Sequence, residues 1–257
     1  MDREAGGVSL IVGAGGPTGG PFIWAALAAI EERTGWVPSS ATKIVGTSAG
    51  AFVAAALPEQ TTPVDGSIES LAGLANGEQF VPTFAVSAVG RIRRAARYPI
   101  ARLAPTSKER AEYNTPGDPF HRGATAVTVS RSGQRVEHHL HEVADAQAVV
   151  RASAAIPFVN GPIDIDGTLH VDGAVNSPTN ADLAGTPELI VVIAPMIPAS
   201  GGSIIDRSHR ALLCTELAAP LRRSIPVVAV LPSPQAHSDR RNRDPFEREG
   251  RVAVNRL

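Results

Sequence analysis

Short apolar runs alternate with longer helical patterns along the N-terminal part of the chain. The run VSLIVG at 8–13 is rich in β-branched residues and stops at glycines, which predicts a buried strand. A helix is predicted over 20–35, with Gly35 as its stop signal. TKIVG at 42–46 predicts the next strand, and the alanine-rich stretch at 48–58 predicts the next helix. This order predicts parallel βαβ units, and hence a three-layer α/β/α fold around a mostly parallel sheet.

The second half of the chain continues with strand and helix patterns. Alternation over 124–140 predicts a hairpin that turns at Ser132 and Gly133. A helix is predicted at 144–156, before Pro157. Two buried strands are predicted at 188–195 and 225–234, with a helix between them at 204–219.

A second hairpin is predicted at 163–173, where IDIDGTLHVDG alternates strictly on both sides of a turn. A three-residue connection over 166–168 sets the predicted register. In that register one buried face carries the apolar side chains of Ile163, Ile165, Leu169 and Val171. Asp164 and His170 then share the opposite face, and Asp172 stands at the exit of the strand.

We interpret the whole chain, 1–257, as one domain, because this length supports a single large hydrophobic core. Residues 59–123 are rich in Pro, Gly, Ser and Thr, which predicts a lid or insert rather than a second domain. Residues 235–257 are polar and arginine-rich, which predicts a surface helix or a partly ordered tail.

Composition narrows the classes of function. Apolar residues make up 43% of the chain and charged residues 19%, as is typical of a globular protein. The net charge of −1 gives no global field that would recruit nucleic acid or an anionic membrane. The one cysteine, Cys214, lies in a predicted helix interior, where burial is expected, and it fits a reducing compartment. Without a signal-peptide pattern or an apolar stretch of membrane-spanning length, a cytosolic location is expected, with peripheral membrane contact left open.

The segment GTSAG at 46–50 places one serine among small residues where a predicted strand ends. Strand, turn and helix around G-x-S-x-G form the context of a nucleophile elbow, which projects the serine hydroxyl towards a substrate. Gly46 and Gly50 leave room for neighbouring backbone, and the helix that follows points its positive end at Ser48. The alternative is a tight strand-to-helix turn without catalysis. The pattern makes Ser48 the candidate nucleophile.

The glycine-rich segment GAGGPTGG at 13–20 follows the first predicted strand. An activated serine needs N–H donors for the oxyanion that forms when it attacks a carbonyl. Exposed backbone N–H groups before a helix can supply these donors. Pro17 has no N–H, so Gly15 and Gly16 are the candidate oxyanion-hole residues. The alternative is a glycine-rich turn that binds no ligand.

The same glycines suggest a second function, the binding of a nicotinamide dinucleotide by an oxidoreductase. Gly13, Gly16 and Gly19 have a spacing that some nicotinamide-binding proteins share. Such proteins place an acidic residue at the end of the second strand to hold the ribose. The second predicted strand here ends in Gly46-Thr47-Ser48, without an acid.

A histidine is the usual base for an activated serine. The residue order of an α/β-hydrolase would make His209 or His237 the candidate. That fold needs several strands before its nucleophile, whereas one predicted strand precedes the strand that leads to Ser48. Both histidines are therefore interpreted as surface residues.

Three segments in one order resemble the patatin-like phospholipases and acyl hydrolases. They are GAGGPTGG at 13–20, GTSAG at 46–50 and RASAAIPFVNGPIDIDGTLHVDGAV at 151–175. The resemblance extends over about residues 8–195 and is weak across 59–123. It implies a patatin-like α/β fold and hydrolysis of lipid acyl esters by a phospholipase, lysophospholipase or esterase. It also implies that the reaction needs no cofactor and no metal.

By that resemblance the active site is a dyad, with Ser48 as the nucleophile, Asp172 as its base and no histidine. The family's D-G-A pattern selects Asp172 over Asp164, which composition alone does not distinguish. A free aspartate has a pKa of roughly 3.9 and is a weak base towards an alcohol. The site therefore has to lower the pKa of the Ser48 hydroxyl or raise that of Asp172. Thr18 stands where the family usually has a basic residue. This departure lowers the expectation that the substrate is a phospholipid. It also leaves open the alternative that the chain is a catalytically silent relative that only binds.

Residues 90–110 carry seven basic residues against one acidic residue, with apolar residues interleaved. One interpretation of this pattern is an interfacial helix that makes peripheral contact with anionic lipid. The alternative is a solvated face of a lid, which Pro99 in the middle of the segment favours.

Overall fold

The computed structural model describes residues 7–57 and 120–241. These residues form one eight-stranded sheet and the helices that cover it. The strands are β1 (Val8–Val12), β2 (Lys43–Thr47), β3 (Ala124–Ser130), β4 (Arg135–His139), β5 (Ile163–Ile165), β6 (Thr168–Asp172), β7 (Leu189–Ile193) and β8 (Val227–Val230). The helices are α1 (Gly16–Thr34), α2 (Ala49–Ala56), α3 (Ala146–Ser153), α4 (Ile204–Arg222) and α5 (Pro234–Arg241).

The sheet is mixed but mostly parallel, as the sequence predicts. Its strand order is β5-β6-β3-β2-β1-β7-β8, and β4 pairs with β3 outside this path. Strands β8, β7, β1, β2 and β3 run parallel, whereas β4 and β6 are antiparallel to β3. Helices α1, α2 and α3 pack on one face of the sheet, and α4 packs on the other. The predicted α/β class is therefore confirmed.

Strand β3 brings two distant strand ends together. Residues 125–129 of β3 pair with β4 along one edge. The other edge is shared, because Val127 pairs with Thr47 of β2 and the next residue, Thr128, pairs with Asp172 of β6. Since β2 runs parallel to β3 and β6 runs antiparallel, the two strands approach each other and end at adjacent positions. The carboxyl ends of β2 and β6 therefore meet beside the middle of β3.

Helix α1 begins earlier than the sequence pattern predicts. It starts at Gly16 rather than at residue 20, so the second half of the glycine-rich segment is helical. Pro17 occupies the first turn, where a missing N–H costs nothing, and Pro21 lies within the helix. The predicted stop is confirmed, because Gly35 caps the helix with a left-handed φ of 72°.

The predicted register of the 163–173 hairpin is wrong. The connection between β5 and β6 has two residues, Asp166 and Gly167, both with positive φ, as a tight Asp-Gly turn requires. Ile163 pairs with His170 in the observed register, so the side chain of Ile163 shares a face with those of His170 and Asp172. Asp164 instead shares a face with the apolar residues of β6, Leu169 and Val171. A loop one residue shorter than predicted is enough to exchange the two faces of a strand.

Two side chains lie where the sequence does not predict them. His237 is buried rather than at the surface, and its Nε2 lies 3.2 Å from Oδ1 of Asp206 near the start of α4. Cys214 is exposed on α4 rather than buried in a helix interior. The sequence pattern thus does not show which side chains of these helices are buried.

Several predictions concern residues outside the two described ranges. The basic segment at 90–110, for which lipid contact is one interpretation, lies wholly outside them, as does the part of the predicted lid at 59–119. The division into a single domain with a lid and a tail stays a prediction. Within 7–57 and 120–241, no helix has the length and apolar composition needed to cross a bilayer.

Candidate active site

Ser48 occupies a sharp turn between β2 and α2. Its φ of 55° and ψ of −117° lie in a region that side chains rarely adopt, so the surrounding packing must hold the strained backbone. A Cβ on Gly46 would lie 2.6 Å from Cα of Ala51. A Cβ on Gly50 would overlap the carbonyl oxygen of Val12 in β1. The two glycines therefore allow the chain to turn tightly enough to place Ser48 between the end of β2 and the start of α2.

The hydroxyl of Ser48 donates a hydrogen bond of 2.8 Å to Oδ2 of Asp172. Asp172 ends β6, and its other oxygen, Oδ1, accepts a 2.8 Å hydrogen bond from the N–H of Ala174. Both side chains are nearly inaccessible, with 4% of Ser48 and 3% of Asp172 exposed. The predicted nucleophile and the predicted base are thus in direct contact.

Burial raises the pKa of Asp172 above its ordinary value of 3.8. The hydrogen bonds from Ala174 and Ser48 stabilise the carboxylate and oppose this effect, but burial is the larger cause. A carboxylate with a raised pKa is a stronger proton acceptor than a free aspartate. Burial therefore makes Asp172 a stronger base towards the Ser48 hydroxyl than a free aspartate would be.

Ser153, at the end of α3, is hydrogen-bonded to the turn that carries Ser48, a role that sequence reasoning missed. Its Oγ accepts a 3.0 Å hydrogen bond from the N–H of Ser48 and donates one of 2.6 Å to the carbonyl of Val127. The side chain is fully buried. Ser153 thus connects the nucleophile turn to β3 and fixes the peptide that precedes the serine. The only signal in the sequence is a serine among alanines at a predicted helix end.

Asn180 is a second buried polar residue that sequence reasoning missed. Its Nδ2 donates hydrogen bonds of 3.1 Å to Oγ1 of Thr47 and 2.8 Å to the carbonyl of Ser177. Its backbone is left-handed, with φ of 51°, a conformation that asparagine tolerates better than most residues. Asn180 therefore ties the segment that follows Asp172 to the last residue of β2.

The glycine-rich loop after β1 leaves the sheet beside the nucleophile turn, because Val12 pairs with Gly46. The N–H groups of Gly13 and Ala14 donate to carbonyls of neighbouring segments. No hydrogen bond to another described residue uses the N–H of Gly15 or Gly16, which are both partly exposed. The two predicted oxyanion-hole residues thus have donors available at the start of α1.

Two buried histidines surround Thr128, which pairs with Asp172 across the sheet. Nε2 of His138 and Nδ1 of His170 each lie 2.8 Å from Oγ1 of Thr128. A hydroxyl has one proton, so it donates to one ring and accepts from the other. Burial lowers the pKa of His138 to about 4 and also lowers that of His170, so both rings are neutral near pH 7.

Acid should weaken the fold through this cluster. The pKa of His138 in the folded state lies below its ordinary value of 6.5, so the unfolded chain binds more protons between pH 6.5 and about 4. The stability that neutral His138 contributes is therefore complete above pH 6.5 and is lost as pH falls towards 4. Urea unfolding across this range should show a shallower decline for His138→Gln than for the wild type. Parallel curves would contradict this assignment.

The chain matches one protein-family model and is similar to a solved structure. The family model described as patatin-like phospholipase matches residues 10–184, which is more than half of the chain. Among solved structures, VipD from Legionella pneumophila is similar, with 11% sequence identity and a TM-score of 0.44. That similarity covers all of this chain and 65% of the VipD chain, so this chain spans less than two thirds of VipD. No curated protein sequence matches.

Proposed function

Because this chain belongs to the patatin-like phospholipase family, we propose that it hydrolyses acyl esters of lipids, with Ser48 as nucleophile and Asp172 as base. The observation that carries the proposal is the 2.8 Å hydrogen bond between the two side chains, which are 124 residues apart in sequence. A structural hydrogen bond alone would not require the strained backbone of Ser48, whereas a nucleophile elbow does.

The first half of the reaction forms an acyl-enzyme. Asp172 accepts the hydroxyl proton as Oγ of Ser48 attacks the ester carbonyl carbon, and the carbonyl electron pair moves onto the oxygen. When the tetrahedral intermediate collapses, the bond to the alcohol breaks and the alcohol takes the proton from Asp172. The acyl group is then joined to Ser48 as an ester.

The second half repeats the same steps with water. Asp172 removes a proton from water as the water oxygen attacks the acyl carbon. Collapse of the second tetrahedral intermediate breaks the bond to Oγ, which recovers its proton from Asp172, and the fatty acid leaves. The base ends each cycle ionised, so the chemistry requires neither a metal nor a redox cofactor to balance.

Backbone N–H groups around the turn are suited to hold the negative oxygen of both intermediates. Gly15 and Gly16 carry the donors proposed from the sequence. Ala49, which follows the nucleophile, opens α2, and a helix leaves its first N–H groups without intrahelical acceptors. These donors are fixed by the backbone, so they need no reorganisation as charge develops.

A fluorophosphonate probe tests the proposal, because it reacts with an activated serine and remains attached. We expect the wild type to be labelled and Ser48→Ala to lose labelling completely. Ser208→Ala removes an exposed hydroxyl on α4 whose Oγ donates to Ile204, and it should be labelled like the wild type. A well-folded wild type that is not labelled, or a labelled Ser48→Ala, would overturn the proposal.

The alternatives from the sequence give different results with the same protein. A catalytically silent relative would be folded but would not react with the probe. A nicotinamide-binding oxidoreductase would show a thermal shift with the dinucleotide.

The proposal also includes a cytosolic location, with which the single exposed cysteine is compatible. A series of p-nitrophenyl esters from short to long acyl chains would then define the substrate preference.

A further inference from the structure

An unusual turn joins α3 to β5. Phe158 in this turn is fully exposed, and it has a φ of 67°, which is strained for a residue with a bulky side chain. Its neighbours Ile156 and Val159 are also exposed, the latter by 65%. A fully exposed phenyl ring gains no burial within the protein, so neither the strain nor the exposure is explained by packing of the described residues.

The turn is attached directly to the candidate active site. The carbonyl of Ala155 accepts a 3.0 Å hydrogen bond from the N–H of Asp172, and the carbonyl of Ile156 accepts hydrogen bonds that close the turn. Val175, three residues beyond Asp172, is 55% exposed. We call these four exposed side chains the apolar rim. Its members are Ile156, Phe158, Val159 and Val175.

Three described segments at the apolar rim contain no charged residue, and the exposed charges that flank the 154–162 turn along the chain are those of Arg151 and Asp164. The turn at 154–162, the segment at 173–178 and the glycine-rich loop at 13–20 contain no Asp, Glu, Lys, Arg or His. Exposed apolar patches on a protein surface typically mark sites that contact another protein or a membrane. The lack of charge also removes electrostatic preference for an anionic surface.

We propose that the apolar rim inserts into the surface of a zwitterionic lipid assembly and thereby places Ser48 and Asp172 at the lipid interface. The choice of partner rests on the proposed function, since a lipid substrate carries apolar chains to this side of the sheet. Full exposure of Phe158 favours an assembled surface over a single acyl chain, because a side chain that projects outward does not line a groove. The hydrogen bond from Asp172 to Ala155 couples insertion to the position of the base.

Vesicle binding tests this proposal independently of hydrolysis. The full chain with Ser48→Ala, which cannot be acylated, is sedimented with sucrose-loaded phosphatidylcholine vesicles to obtain a partition coefficient. Adding Phe158→Ser should lower this coefficient by about ten-fold, as expected for loss of one buried aromatic side chain. Val159→Ser should lower it by a smaller factor. A rise in salt should change it little, because the rim is uncharged.

Ile204→Ser is the matched control, since Ile204 at the start of α4 is 73% exposed but lies outside the rim. It should bind vesicles like the parent. Equal partition of the Phe158→Ser and Ile204→Ser proteins would overturn the proposal. So would binding that needs anionic lipid and falls with salt, which would point to 90–110. A Phe158→Ser protein with lower unfolding free energy or a changed oligomeric state would show that protein covers the rim. Fluorophosphonate labelling separately decides the proposed function.

Discussion

Asp172→Asn should lower kcat on soluble p-nitrophenyl esters by about 10³-fold while leaving the protein folded. The amide has nearly the shape of the carboxylate, and its Oδ1 can still accept the hydrogen bond from Ala174. Its Nδ2 can donate to Ser48 Oγ but cannot take the hydroxyl proton. The change therefore removes the base and keeps the contacts, so the loss should appear in kcat rather than in folding.

The same substitution should not weaken the fold at neutral pH. Burial raises the pKa of Asp172 in the folded state, so the folded protein holds this proton at pH values where the unfolded chain has lost it. The stability from the protonated form is complete below the ordinary pKa of 3.8 and is lost as pH rises through the folded pKa. At neutral pH the buried carboxylate is a cost, and Asp172→Asn should have an unfolding free energy equal to or above that of the wild type in urea.

Asp164→Asn is the control for both measurements. Asp164 is exposed on β5, and its Oδ1 accepts a hydrogen bond from Gly167 within the hairpin turn. It should keep the wild-type kcat.

The acid limb of kcat/KM in the wild type should have its midpoint above pH 3.8, because the base must be ionised to act. If Asp172→Asn retains wild-type rates, Asp172 is not the base.

Local signals were sufficient to predict the elements that carry the site. The apolar run before Ser48 and the small residues around it predict a strand, a turn and a helix, and the structure has β2, Ser48 and α2 in that order. Such a turn depends on residues that are neighbours in sequence, which is why the motif is informative. The resemblance then selected Asp172, and the structure places its carboxylate against the serine.

Contacts between distant segments could not be predicted in the same way. The meeting of β2 and β6 along one edge of β3 depends on pairing between residues far apart in sequence, for which the chain carries no local signal. The register of the 163–173 hairpin failed for a different reason. Asp-Gly closed a tighter turn than predicted, and a one-residue change reverses which side chains face the helices. Ser153 and Asn180 were missed because their roles consist of buried hydrogen bonds to other segments.

Gly50→Ala should destabilise the protein by about 3 kcal/mol and abolish fluorophosphonate labelling. The added Cβ would overlap the carbonyl oxygen of Val12 and lie 3.0 Å from the carbonyl oxygen of Gly13. Both are backbone atoms of β1 and its loop, so no side chain can rotate away to make room. Helix α2 would have to move off the sheet, and the strained turn at Ser48 would lose the packing that holds it.

Gly161→Ala provides the comparison, because a Cβ there would have no atom within 4 Å and the residue does not have a positive φ. Its unfolding free energy should differ from that of the wild type by no more than about 0.5 kcal/mol. Unfolding of the two variants at the same urea concentration would contradict the close approach of α2 to β1. If Gly50→Ala is destabilised but still labelled at the wild-type rate, the turn does not need this packing to activate Ser48. The combined result thus separates the role of Gly50 in folding from its role in presenting the nucleophile.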